Sequence, residues 1–239
     1  MEAQLSPAEQ EANAEKLKAE AAQAKAEAKR IAAEAAKLEA ETREADAKAR
    51  TAELGALKAE DEDRARRAGD EFHHVYRFSS EVSASSVSRC MAKLTEWHRL
   101  DPNCNMEIIF SSPGGSIIDG MELFDFIRGM ADQGHRTITG GTGMAASMAG
   151  ILLQAGEHRW VSKEAWVLIH RAAFFAFGQT HDVEDQVKLV QRIEKRIIDI
   201  FTARSQLTPQ KIRRNRNRKD WWLDSDECLE HGLVDEVRA

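Results

Sequence analysis

The chain is poor in the features that mark metal proteins, membrane proteins and nucleic-acid binders. It has three cysteines in 239 residues, Cys90, Cys104 and Cys228. An odd number without metal-ligand spacing excludes a disulfide framework and a cysteine-based metal site, and is expected of reduced thiols in a cytoplasmic protein. No apolar run approaches the ~18–20 residues needed to span a bilayer. The opening MEAQLSPAEQ is acidic and has no apolar stretch, so no secretory signal is expected. A net charge of −6 and a pI near 5.8 give no general attraction to nucleic acid or anionic membrane. What remains is an expected soluble, cytoplasmic chain whose 42% hydrophobic content suffices for a core.

The first 70 residues contain no aromatic side chain at all, and hold 23 alanines, 17 acids and 13 bases. Ala, Glu, Lys and Arg are the strongest helix formers. Ser6 reads as an N-cap, Pro7 as the first helical residue and Glu9 as the partner of a capping box. Glu44–Lys48 and Asp46–Arg50 are acid-first pairs four apart. Gly55 is expected to interrupt the helix and Gly69 to end it. Leu17, Ile31 and Leu38 share one heptad position with Ala24, Ala45 and Ala52, a thin seam that suits either a coiled coil or a solvated spacer. Residues 1–70 are thus read as a charged helical extension and 71–239 as the globular domain.

From His73 the texture changes. HHVYRF (73–78), MEIIF (106–110), HRTITG (135–140) and AWVLIH (165–170) read as buried strands, and about 84–99, 117–132, 144–155 and 182–205 as helices. Strands alternating with helices imply an α/β fold with a largely parallel sheet and functional groups at the strand ends.

Three places carry candidate chemistry. SPGGS (112–116) follows a strand, and its paired glycines let backbone N–H groups face a ligand. GGTGMAASMAG (140–150) reads as a glycine-rich turn opening a small-residue helix, with Ser147 near the N-terminus, where free amides favour a developing anion. It is not a G-x-S-x-G elbow, because Ala145 and Ala149 stand at the glycine positions. His170 ends a strand. Each has an ordinary structural reading: a tight turn, a close-packed helix, a hydrogen-bonded histidine. The basic stretch Lys211–Lys219 reads as a solvated loop or a partner for acids of a neighbouring subunit rather than a nucleic-acid patch, and Asp224 as an N-cap.

Taken together, SPGGSIIDG (112–120), GMAASMAGILLQAG (143–156), VLIHRA (167–172) and KDWWLDSDECLEHGLVD (219–235) resemble, in order and spacing, the motifs of ClpP, the proteolytic subunit of the Clp proteases. The resemblance runs from about His73 to Val237. It implies a crotonase-like fold of stacked βαβ units with a projecting handle helix near 182–205. It implies Ser147 as nucleophile, His170 as general base, Asp220 as the third triad member, and an oxyanion hole of the Gly115 and Met148 backbone N–H groups. No metal or cofactor is implied. The implied partners are protein or peptide substrates, other copies of the chain (two stacked seven-membered rings in ClpP), and an ATPase. A phage head-maturation peptidase is one version, with the long helix as a tether to a scaffold or capsid protein.

The chain departs from the pattern in places. Arg171-Ala172 and then Phe174-Phe175-Ala176-Phe177 follow His170 where ClpP usually has Gln-Pro, and Lys219 precedes Asp220 where the family has arginine. Lysine cannot reproduce bidentate arginine contacts, so ring stacking is the property placed in question. Two alternatives share the fold: an inert scaffold whose helix is the working part, and an acyl-CoA enzyme of crotonase type that has no need of all three triad residues.

Overall fold

The computed structural model describes residues 7–239. The proposed cap Ser6, with its capping box, lies outside the described residues. The chain divides into two compact units, 1–67 and 68–239.

In the first unit, helix α1 (Pro7–Ala68) is a single 62-residue helix with no buried residue, about 90 Å long at 1.5 Å per residue. Gly55 does not interrupt it: tolerating one glycine costs only about 1 kcal/mol, and the helix ends just before Gly69. Lys48 and Glu44 pair at 2.6 Å, and Lys16–Glu20, Lys37–Glu41 and Lys58–Glu62 stand at 3.7–3.9 Å. Such exposed pairs contribute only about 0.3–0.5 kcal/mol each. Leu17, Ile31 and Leu38 are more than half exposed, so the seam is unburied within one chain.

The second unit is built on a seven-stranded sheet: β1 (Val75–Phe78), β2 (Asn105–Ser112), β3 (Arg136–Ala146), β4 (His158–Ser162), β5 (Trp166–Ile169), β6 (Trp221–Leu223) and β7 (Glu236–Arg238). The order β1-β2-β3-β4-β7 is parallel throughout. β3 also pairs with β5 in parallel, and β5 with β6 antiparallel. Helices α2 (Ala84–Leu100) and α3 (Ile117–Asp132) are the crossovers between the first three strands. α4 (Met148–Leu152), α5 (Thr180–Ala203), α6 (Pro209–Asn215) and α7 (Ser225–Glu230) follow. The four expected strands and the helices at 84–99, 117–132 and 182–205 are present. Asp224 caps α7 by accepting from the Glu227 N–H.

The segment 144–155 differs from the helix expected of it. β3 continues through Gly140–Ala146, and only Met148–Leu152 is helical. The strand holds two ladders in succession. Ile138–Gly141 pairs with β4, and Met144–Ala146 pairs with β5, with a shift of register against β2 between them. Small residues suit this strand because it is crowded on both sides: a Cβ on Gly140 would lie 2.3 Å from the Trp160 indole.

The core lies between the sheet and α2, α3, α4 and α5, with Phe78, Phe110, Leu123, Ile127, Met148, Leu152 and Phe201 among its fully buried side chains. One buried ion pair locks the far edge. Arg159 on β4, only 3% exposed, donates to Asp235 at 2.6 and 3.1 Å and to the Gln154 side-chain Oε1 at 2.8 Å. Burial alone raises the Asp235 pKa, but the Arg159 hydrogen bonds outweigh it and hold the carboxyl below its ordinary value. A depressed carboxylate stabilises the fold above its unfolded pKa, and this contribution is lost as pH falls through the folded one. Arg159→Met is expected to cost about 3 kcal/mol in denaturant unfolding at neutral pH. That is the low end for breaking a buried pair, since Asp235 is a third exposed. The variant should also lose less further stability than wild type on acidification.

Candidate active site

Ser147 occupies the one-residue turn between β3 and α4, with φ 55° and ψ −120°. A positive φ on a residue with a side chain costs on the order of 1–3 kcal/mol, and it persists only where neighbours enforce it. Here the Ser147 N–H donates to the Leu168 carbonyl at 3.1 Å, while its own carbonyl accepts from the Gly150 and Ile151 amides. The strained turn throws the hydroxyl out of the sheet. In local geometry this is a nucleophile elbow, even though alanines replace the motif's glycines. α4 is only five residues long, so any anion stabilisation there comes from individual amides rather than a helix dipole.

His170 follows the last residue of β5. Its Nε2 lies 2.6 Å from the Ser147 Oγ. The adjacency follows from the ladder, since Ala146 pairs with Leu168 and so brings the end of β3 beside the end of β5. The two candidate residues with the greatest chemical weight are therefore in hydrogen-bond contact.

Asp220 is not docked in the same way. Its side chain is exposed and makes no hydrogen bond or ion pair among the described residues, and the His170 Nδ1 likewise lacks a partner there. Its backbone is nevertheless close. β6 pairs with β5 through Val167↔Leu223, Leu168↔Trp222 and Ile169↔Trp221. The ladder ends at Ile169↔Trp221, so His170 and Asp220 are the residues that adjoin its last pair.

The glycine pair after β2 approaches from the other side. A Cβ on Gly114 would lie 2.6 Å from the Ser147 Cβ and 2.9 Å from the Met148 nitrogen, so only glycine lets this loop sit against the turn. Gly115 forms a parallel bridge with Val82: the Val82 N–H donates to the Gly114 carbonyl, and the Ser116 N–H donates to the Val82 carbonyl. In a parallel bridge the central residue keeps its own N–H for the side away from its partner. Beneath these groups lies a narrow apolar pit lined by Ile117, Met148, Ile151, Ile169, Ile197 and Phe201.

Sequence reasoning missed a charged cluster behind His170. The Arg216 guanidinium, 4% exposed, donates to the His170 carbonyl at 3.3 Å and stands 3.8 Å from the Glu194 carboxylate. Lys211–Lys219 is therefore not simply a solvated loop: its first half is α6, and Arg216 points inward. A signal was available, because Glu194 lies on the stripe Glu194, Ile197, Ile198, Phe201, an acid at helical spacing with buried apolar residues.

Among the described residues, the one group of donors suited to a metal ion is His74, Asp101 and Cys104, whose ligand atoms lie within 4.8 Å of one another. It sits at the N-terminal ends of β1 and β2, the opposite end of the sheet from Ser147, and Asp101 is exposed.

Comparison with known proteins shows the family. A family model described as Clp protease matches residues 72–239. The chain is 33% identical over 150 residues to ATP-dependent Clp protease proteolytic subunit 2 of Tropheryma whipplei, covering 62% of this chain and 81% of that protein. It is 31% identical to the ATP-dependent Clp protease proteolytic subunit of Bacteroides thetaiotaomicron over 160 residues (66% and 71%). It is also 31% identical to the proteolytic subunit 1 of Leifsonia xyli over 161 residues (66% and 80%).

Proposed function

The chain belongs to the Clp protease family, a serine-type peptidase of the ClpP kind on the crotonase-like fold, and from that premise we propose that Ser147, His170 and Asp220 are its catalytic triad. The observation that carries the assignment is the 2.6 Å contact between the His170 Nε2 and the Ser147 Oγ at a strained turn. A serine hydroxyl is a weak nucleophile until a base removes its proton. In this reading His170 takes the proton as Oγ attacks the peptide carbonyl carbon. The resulting oxyanion accepts from the Gly115 and Met148 N–H groups, each expected to contribute about 3–4 kcal/mol to the barrier. His170 then passes the proton to the leaving amine, giving an acyl-enzyme that water hydrolyses. Asp220 turns in from solvent to accept from the Nδ1–H, fixing the tautomer and stabilising the imidazolium. No metal or organic cofactor enters the scheme.

The substrates in this reading are protein chains, with assembly into a homo-oligomer and an ATPase or scaffold partner; the relatives are named as proteolytic subunits of an ATP-dependent protease. The head-maturation version rests on the 62-residue helix, a reach suited to tethering an enzyme to a capsid or scaffold protein. Deleting residues 1–70 and comparing particle mass by sedimentation tests whether this helix assembles copies: a fall in subunit number supports a coiled coil, and an unchanged mass supports a spacer.

The exposed position of Asp220 favours one competing reading, a domain held inert as a scaffold. Labelling with a fluorophosphonate separates the two. Wild type should be modified at Ser147 and Ser147→Ala should not be. Labelling that persists in Ser147→Ala refutes the nucleophile, and absence of labelling in wild type supports the inert scaffold.

A further inference from the structure

Past Ile169 the main chain leaves the sheet, and through residue 178 it has no regular secondary structure. Among the described residues, no backbone-to-backbone hydrogen bond holds residues 170–178 outside the ladders. His170 is thus anchored on one side by β5 and must be held on the other by side chains. Two provide the hold. The Glu194 Oε1 accepts from the Ala172 N–H at 3.3 Å and from the Arg171 Nε at 3.3 Å. Its other oxygen lies 3.8 Å from the Arg216 Nη2, and Arg216 closes the circuit by donating to the His170 carbonyl. Arg216 also stands four residues before Asp220, at the end of the segment that must deliver the carboxylate. The surrounding cavity is lined by Arg171, Lys195, Arg213 and Arg214, so Glu194 is the single acid among many bases and has no substitute.

We propose that Glu194 and Arg216 are positioning residues: a largely buried brace that fixes the backbone of His170, and with it the imidazole, while tying the Asp220 segment to the same carboxylate. The proposal rests on the triad reading for its catalytic consequence. Neither side chain touches the reacting atoms. The brace acts by holding near-attack geometry, where a shift of about 1 Å is worth up to a hundredfold in rate.

The test uses full-length Glu194→Ala, Arg216→Ala, the double variant, and the conservative Glu194→Gln and Arg216→Lys. For Glu194→Ala we expect kcat for peptide hydrolysis, and the rate of fluorophosphonate labelling of Ser147, to fall together by about ten- to a hundredfold with KM little changed. Glu194→Gln retains an acceptor for the Ala172 N–H and should recover part of the loss. The double variant should lose hardly more than either single one, because both break one unit. Unchanged kcat in both alanine variants, fully additive losses, or a rise in KM at constant kcat would each overturn the brace. If the alanine variants fail to fold, Glu194→Gln and Arg216→Lys decide: wild-type rates in both refute it and graded losses support it. A second readout needs no turnover. Hydrogen exchange at the Ala172 amide should accelerate in Glu194→Ala, and an unchanged rate counts against the brace even if wild type proves inactive. Failure of Ser147 to label in wild type is, by contrast, a failure of the triad reading.

Discussion

Ser147→Ala is expected to lower kcat for peptide hydrolysis by about 10⁴–10⁶-fold with little change in KM, leaving only the residual catalysis of bound and polarised substrate. The magnitude follows from what the substitution removes. In the proposed triad it removes the Oγ that stands 2.6 Å from the His170 Nε2, and with it the acyl-enzyme route as a whole. Stability should hardly change. Ser147 adopts a left-handed backbone conformation that alanine tolerates no better, but its buried neighbours Met148, Ala149 and Ala146 are unchanged. The variant should therefore fold and assemble as wild type does, which makes rate and melting temperature independent readings. A variant that retains more than a few per cent of wild-type activity would place the nucleophile elsewhere.

Much of this site was written in local patterns, and some of it was not. The strands at MEIIF and AWVLIH were legible because buried parallel strands are continuous apolar runs, and α2, α3 and α5 because their apolar residues recur at helical spacing. Gly141–Ala146 was misread as a glycine-rich turn and the opening of a helix. Alanine and glycine have low strand propensity, and only the tertiary setting, with β2 on one side and β4 then β5 on the other, draws them into a ladder. The strands β4, β6 and β7 escaped notice for a related reason. They are three to five residues long and carry charged or bulky residues such as Arg159, Trp222 and Arg238, whose cost is offset by partners distant in sequence: Asp235 for Arg159 and Glu107 for Arg238.

The site shows the same division. That Ser147 lies at a strand-to-helix junction was half visible, but its contact with His170 depends on the β3–β5 pairing, which no local pattern encodes. The ordered set of four motifs, rather than any one of them, pointed to these residues. Glu194 and Arg216 fall outside those motifs. Glu194 betrayed itself only as an acid on an apolar stripe, and Arg216 was hidden among five other bases in nine residues, of which burial selects one.

Asp220→Asn is expected to reduce kcat by about 10⁴-fold while leaving KM nearly unchanged. The argument starts from the open valence at His170. With Nε2 facing the Ser147 Oγ, a productive base needs its proton on Nδ1, and an acceptor must hold it there. The last pair of the β5–β6 ladder, Ile169↔Trp221, adjoins both His170 and Asp220, so in the proposed triad a local turn at residue 220 rather than a rearrangement of the sheet delivers the carboxylate. An asparagine keeps the size and reach but can present its NH₂ to Nδ1, which favours the tautomer with the proton on Nε2 and disarms the base. Asp220→Ala should be nearly as damaging, since it leaves the imidazolium without its counter-charge. If either variant retained kcat within about tenfold of wild type, the effect would be that of a peripheral group rather than a tautomer-fixing one. The exposed position of Asp220 would then be its working position, and Ser147 and His170 would have to act as a dyad.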